Sequence, residues 1–214
     1  MTTLCGPEAL AALFGRIDIY VFDQLLRGNL RPSMRVLDAG CGGGRNSEYL
    51  MRCGAPVFGV DRSEEAVDRI RRVAAEAAPG LPPSNFQVAP LAALPFERDS
   101  FDAVLCSAVL HFSADEAEFE ASLTEMWRVL APGGLFFARL ASTIGIEGSV
   151  RRLHDRWYAL PDGSDRFLVD EAYLLDWAER LGGTLVDPLK TTVVQGMRSM
   201  TTWVVRAALP ASLR

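Results

Sequence analysis

The chain has 214 residues, 49% of them apolar, and a formal net charge of −5 at neutral pH. That length is ample for one globular domain and short for two. No apolar run approaches the roughly eighteen residues that cross a bilayer, and the acidic balance argues against a broad nucleic-acid surface. Cys5, Cys41, Cys53 and Cys106 are scattered without C-x-x-C pairing, and with only two histidines they are poor material for a metal site, so reduced thiols and no metal are expected. The first basic residue is Arg16, so no charged head precedes a signal-peptide core, and a cytoplasmic protein is expected.

Residues 8–26 carry Leu10, Leu13, Phe14, Ile17, Val21 and Leu25 at spacings of three and four, which predicts one amphipathic helix stopped near Gly28. Residues 36–46, VLDAGCGGGRN, then predict a buried strand, a glycine turn and a helix opening over 45–51. Met34, Val36 and Leu37 suit a strand covered on both faces, while Gly40, Gly42, Gly43 and Gly44 let the backbone turn and approach a ligand. The first N–H groups of a helix there would favour a carboxylate or a phosphate. Asp38 sets a fixed negative charge at the mouth of the strand, which suits a cation better than a pyrophosphate. A dinucleotide fingerprint, G-x-G-x-x-G, also fails, because Arg45 stands where its third glycine should be.

The spacing Gly40, Gly42, Gly44 resembles motif I of the class I S-adenosylmethionine-dependent methyltransferases, and the run Gly44, Arg45, Asn46, Ser47 is similar to their tellurite-resistance-type branch. The resemblance implies that S-adenosylmethionine is the cofactor and S-adenosylhomocysteine the product. It implies that Asp38, Gly40 and Gly42 hold the cofactor's amino acid end, with Ala39, Cys41, Gly44 and Asn46 in the same turn. It also implies an N-terminal cover over the cofactor, in which Arg16, Tyr20 and Gln24 either face ligand or decorate an outer surface.

A second strand over 57–60 ends in Asp61, and a helix over 64–77 follows with Val67, Ile70, Val73 and Ala77 inward and Pro79 and Gly80 as its stop. Asp61 lies about twenty residues beyond the glycine turn, where its two oxygens can accept both hydroxyls of a ribose, a role that a dehydrogenase would use equally. Arg62 either lays its stem along an adenine or faces solvent. The third strand, 86–88, leads to Leu94, Pro95 and Phe96, before which the superfamily commonly carries an acid; here that position is Pro90, so a polar adenine contact falls to the Leu91 backbone or is absent.

A central strand over 103–106 delivers Ser107 and His111 beside the switch point of an open α/β sheet, with Ser107 expected against the cofactor. Methyl transfer depends mainly on alignment behind a good leaving group, so His111 is a candidate general base, a lining residue or a packing residue. Ser113 and Glu116 form a capping-box pattern for a helix through Leu130, with Phe119, Leu123, Met126 and Trp127 as its core stripe. Pro132, Gly133 and Gly134 resemble the superfamily's turn into its fifth strand, 135–138, which leaves Arg139 near the active edge to hold an anion or a structural carboxylate.

Residues 141–168 are the least regular and read as a substrate-side insertion whose Arg151, Arg152, Arg156, Trp157 and Tyr158 suit an anionic or aromatic acceptor, or else as a solvated helix with a turn. Asp170 caps a helix ending at Gly182. Strands over 184–194 and 200–206 form a terminal hairpin around Gly196, Pro188 demotes the first to an edge, and Gln195 and Arg198 in the turn contact substrate or solvent.

The expected whole is one α/β domain over 1–214, a Rossmann-like three-layer sandwich with a seven-stranded, mostly parallel sheet and an antiparallel last strand. Its parts are an N-terminal helical cover (1–33), a cofactor-binding core (34–140), the insertion and its helix (141–182) and the hairpin (183–207). The expected function is methyl transfer from S-adenosylmethionine, by in-line displacement, to a small-molecule acceptor, with neither nucleic acid nor membrane as partner. A non-catalytic S-adenosylmethionine-binding regulator and an NAD(P)-dependent oxidoreductase are the alternatives.

Overall fold

Gly15, at φ +60°, ends the first predicted helix early. In the computed structural model, which describes residues 6–209, the expected single helix over 8–26 is two helices, α1 (Pro7–Phe14) and α2 (Ile19–Leu26). The apolar periodicity runs through both, but the side chain of Asp18 accepts the Tyr20 N–H and starts a new helix there. Cys5 and the rest of residues 1–5 lie outside the described residues. The chain groups into two compact units divided between Pro90 and Leu91.

The first unit carries β1 (Val36–Ala39), α3 (Glu48–Arg52), β2 (Val57–Asp61), α4 (Glu64–Ala77) and β3 (Phe86–Val88). The strands run parallel in the order β1-β2-β3, with Val36 opposite Val57 and Gly59 opposite Phe86. Every residue of β1 is buried, Asp38 included, as expected of a strand covered on both faces. A Cβ at Gly59 would lie 3.0 Å from Phe86 and 3.1 Å from Cys41, so this glycine lets the turn after β1 pack directly on β2. The α4 helix is capped by Ser63 and buries Ala66, Val67, Ile70 and Ala74, whereas Val73 and Ala77, expected inward, are half-buried. The helix expected over 45–51 begins only at Glu48, because residues 44–47 close a turn in which the Ser47 N–H donates to Gly44 O.

The second unit carries β4 (Phe101–Ser107), α5 (Glu116–Val129), β5 (Leu130–Ala141), β6 (Arg151–His154), β7 (Trp157–Ala159), β8 (Asp165–Phe167), α6 (Glu171–Arg180), β9 (Gly183–Leu185), β10 (Lys190–Val194) and β11 (Arg198–Ala207). Its main strands lie in the order β10-β11-β5-β4, with β4 parallel to β5 and β11 antiparallel to β5, β10 and β9. The fold is a Rossmann-like mixed α/β sheet of mostly parallel strands with an antiparallel last strand. Phe119, Phe136, Phe137 and Trp203 are fully buried and build the centre of this unit.

Four local expectations change here. The capping box of α5 lies two residues downstream of Ser113 and Glu116: Asp115 accepts the Glu118 N–H, and the Glu118 carboxylate accepts the Ala114 N–H. The fifth strand begins at Leu130 rather than 135, running through Gly133 and Gly134. The expected strand over 184–194 divides around Pro188, which has no N–H for a ladder, and this adds a strand to the set. Residues 141–168 contain no solvated helix: an irregular stretch over 143–150 leads into a separate antiparallel sheet, β6-β7-β8. The turn between β10 and β11 places Gln195 and Gly196 at φ +52° and +66°, the consecutive left-handed pair that a tight hairpin favours.

Candidate functional site

In the first unit the turn after β1 is tied to the end of β2 by backbone and by side chain. The N–H groups of Gly40 and Cys41 both donate to Val60 O, at 2.8 and 2.9 Å. The Gly42 N–H donates to Asp61 Oδ2 at 3.0 Å, and the Ser63 N–H donates to the other oxygen of Asp61 at 2.9 Å. Asp61 is thereby held against the glycine turn while each oxygen keeps a further lone pair for a ligand hydroxyl. A Cβ at Gly42 or Gly43 would meet nothing within 4 Å, so open space lies over this part of the turn. Gly44 instead serves packing, since at φ +79° its absent Cβ would lie 2.9 Å from the Ile70 side chain.

Asp38 is 3% exposed and accepts the Ser47 hydroxyl at 2.8 Å. Burial pushes its carboxyl up to about 6, against the stabilising Ser47 hydrogen bond and Arg45, while the nearby Asp61 charge adds to the rise. A cation brought to the turn would draw it down again, which is what an α-ammonium group supplies. Ala39 and Cys41 are buried beside it, and burial raises the Cys41 thiol far enough to keep it protonated and inert.

Asn46 is buried with its Oδ1 accepting the Asp18 N–H at 2.9 Å, and Arg45 lies 3.7 Å from the Asp18 carboxylate. The N-terminal helices are thus latched to the glycine turn through Asp18. Tyr20 is half-buried in the first turn of α2, Gln24 is buried with its amide engaged by Asn29 and Asp23, and Arg16 and Arg62 are exposed. Pro90 is exposed just after Ala89, whose N–H donates to Asp61 O, and Leu91 is half-buried at the start of the second unit. Sequence reasoning missed Asp18, Arg45 and Ser47 as parts of this cluster; a serine at the N-cap after the glycine turn was the available sign for Ser47.

In the second unit, Ser107 closes β4 opposite Arg139 of β5, and its buried hydroxyl has no hydrogen-bond partner among the described residues. Ala108 follows at φ +62°, an uncommon conformation for alanine, with its N–H donating to Arg139 O at 2.7 Å. That bend delivers a single 3₁₀ turn containing His111, which is 7% exposed and whose Nδ1 accepts the Ala141 N–H at 3.4 Å. Burial first, and then the charges of Arg166 and Arg139, push His111 down to about 4. The ring is therefore neutral at physiological pH and carries its proton on Nε2, where it donates rather than accepts.

His111 lines a pocket of about 200 Å³ with Asp162, Arg166 and Arg198, backed by apolar Phe112 and Met200. Arg198, expected in the hairpin turn, lies at the start of β11 and is bound to Asp162, which also accepts the Ser164 N–H and hydroxyl at 2.9 and 2.6 Å. Arg166 lies with its guanidinium carbon 4.9 Å above the Phe112 ring. Arg139 does not line this pocket, though its charge acts on His111. Asp162 and Arg166 were not singled out in the sequence because β7 and β8 were not expected.

Residues 37–138 match the family described as methyltransferase domain. A malonyl-[acyl-carrier protein] O-methyltransferase of Pseudescherichia vulneris is 31% identical over 184 residues, covering 79% of this chain and 67% of that protein. The chain belongs to the class I S-adenosylmethionine-dependent methyltransferases. An uncharacterized methyltransferase of Synechocystis is 36% identical over 117 residues, and the chain spans about half of that relative's length, 51%. Among solved structures, magnesium protoporphyrin IX methyltransferase from Synechocystis with bound S-adenosylhomocysteine matches with a TM-score of 0.66 at 23% identity, over 89% of this chain and 81% of that one, a likeness of fold.

S-adenosylmethionine is the cofactor of this superfamily. The residues of the first unit fit it: a buried carboxylate at the turn for an ammonium, open space over Gly42 and Gly43, and an anchored acid with free lone pairs for a ribose.

Proposed function

We propose that this methyltransferase moves the methyl group of S-adenosylmethionine, by in-line displacement, to an oxygen of a small-molecule acceptor. The observation that carries the reading is the Gly42–Asp61 hydrogen bond, which fixes a ribose acceptor beside the open glycine turn. Asp38 takes the ammonium of the amino acid end, Gly40, Cys41 and Gly42 shape the turn that this end packs against, their N–H groups being held by Val60 O and Asp61, and Asn46 and Gly44 hold the turn in place. Tyr20, Arg62, Pro90, Leu91 and Ser107 serve the remaining cofactor surface, and Arg139 and Arg198 the acceptor side. When bound, the cofactor supplies an electrophilic methyl group on a good leaving group; the chain orients it and excludes water.

Oxygen is favoured as the acceptor atom by the name of the relative from Pseudescherichia vulneris, an O-methyltransferase. The likeness of residues 44–47 to tellurite-resistance-type enzymes adds metalloid oxyanions to the acceptors worth screening. Among the described residues no helix is long and apolar enough to cross a membrane.

Calorimetric titration with S-adenosylmethionine, S-adenosylhomocysteine and NAD tests the reading on the wild type and on Asp61→Ala. The first two are expected to bind, with the substitution weakening both by roughly a hundredfold or more, the worth of the two hydrogen bonds that the carboxylate accepts from the ribose. Binding of NAD alone would overturn it.

A further inference from the structure

The pocket formed by β8, the start of β11, the end of β5 and the His111 turn combines positive charge with the absence of a usable base. Among the described residues Asp162 is its only carboxylate, and both oxygens are taken, one by Ser164 and the other by Arg198, so its charge is spent on Arg198. Its carboxyl is held below the usual range by Ser164 first and Arg198 after, which makes it a poor proton acceptor. His111 uses its Nδ1 lone pair on the Ala141 N–H and turns a donor edge elsewhere. The Ser199 hydroxyl donates to Ile144 O at 2.7 Å.

Arg166 is the remaining cation. It is half-buried, forms no ion pair among the described residues, and one arm donates to the Asp165 carbonyl at 2.6 Å. The rest of the wall is apolar, from Phe112, Ala141, Leu160 and Met200. At about 200 Å³ the pocket is smaller than the roughly 300–1,000 Å³ that holds drug-sized ligands. An acceptor that must lose a proton finds no partner for it here, whereas an anion needs none and finds one arginine and one imidazole N–H.

We propose that this pocket takes a small, largely apolar monocarboxylate, bound by Arg166 with the His111 Nε2–H donating, and that a carboxylate oxygen is the methyl acceptor. The inference rests on the methyltransferase reading above. In the step, a carboxylate lone pair forms the new O–CH3 bond, the C–S bond breaks, and its electron pair goes to sulfur. The negative acceptor and the positive sulfonium become a neutral ester and a neutral thioether, and no proton is released.

The test uses the full chain saturated with S-adenosylhomocysteine and titrated with benzoate, phenylacetate and hexanoate, each against its primary amide. At least one carboxylate is expected to bind roughly tenfold or more tightly than its amide, and Arg166→Gln to erase that preference while S-adenosylhomocysteine binds within about twofold of the wild type. His111→Asn, which keeps an N–H donor, is expected to retain more of the preference than His111→Phe. With saturating S-adenosylmethionine, mass spectrometry is expected to show methyl esters at a rate flat above about pH 7, since no base in the pocket titrates there. S-adenosylhomocysteine binding with no carboxylate outbinding its amide overturns the proposal and leaves the methyltransferase reading intact, as does methylation confined to phenols or thiols. Failure of S-adenosylhomocysteine to bind defeats the underlying reading instead. The wild-type comparison of acid and amide decides the matter even where a variant folds poorly.

Discussion

Ser47 is the side chain that keeps Asp38 useful. A carboxylate almost without solvent contact is driven toward its neutral form, and the Ser47 hydroxyl at 2.8 Å is the chief force holding it back. An ammonium needs the ionised form, so affinity for S-adenosylhomocysteine is expected to fall as pH drops through about 6. Ser47→Ala removes the hydroxyl and moves that midpoint up by roughly one to two pH units, the worth of one charged hydrogen bond, weakening binding at about pH 7 by roughly twofold to tenfold. Titrations across the range check both statements; a midpoint unchanged by the substitution refutes the role. The sequence made Asp38 and Asp61 legible because a strand, a turn and a strand place them by local spacing alone. It left Asp18 hidden, since its hydrogen bond to Asn46 spans 28 residues of chain, and it left Arg166 and Asp162 hidden because no periodicity marked the short strands around them.

At the scale of elements, the Asn46–Asp18 hydrogen bond joins the N-terminal helices to the glycine turn. Sequence periodicity found the apolar stripe across residues 8–26 but passed over Gly15 and the Asp18 cap, which turn one rod into two and place the latch between them. Similarly, Pro188 was legible as an edge signal, yet its missing N–H divides the strand outright. The sheet β6-β7-β8 was illegible because its strands are three or four residues long, too short for alternation to register. The latch carries its own prediction. Asn46→Ala removes the acceptor that joins the Asp18 N–H to the glycine turn, at a cost of about 0.5–1.5 kcal/mol, so amides of α2 are expected to exchange faster, and S-adenosylhomocysteine to slow them less than in the wild type. Equal protection of α2 in both proteins would show that the latch does not transmit occupancy of the turn.

For the molecule as a whole, two buried groups that titrate in the acid range, Asp38 and His111, oppose each other. Asp38 is raised from 3.8 to about 6, so between those values the folded chain keeps a proton that the unfolded chain has released. Its contribution to stability therefore falls as pH rises through that window, by roughly 3 kcal/mol. His111 is lowered from 6.5 to about 4, so the unfolded chain takes up a proton that the folded chain refuses. Its contribution, of similar size, is present above about 6.5 and is lost as pH falls to about 4. Where the chain unfolds in one step the two slopes largely cancel, and the wild type is expected to be less pH-sensitive between about 4 and 6 than either single variant. Asp38→Asn removes the falling slope and leaves stability rising with pH; His111→Asn removes the rising slope and leaves stability falling. Urea midpoints across the window read both signs, and an Asp38→Asn profile parallel to the wild type would refute the buried ionisation. The two groups lie on opposite sides of the Pro90–Leu91 division, so where the units open separately the cancellation disappears. Amide exchange corrected for its intrinsic rate would then show β2 losing protection with rising pH while β5 gains it.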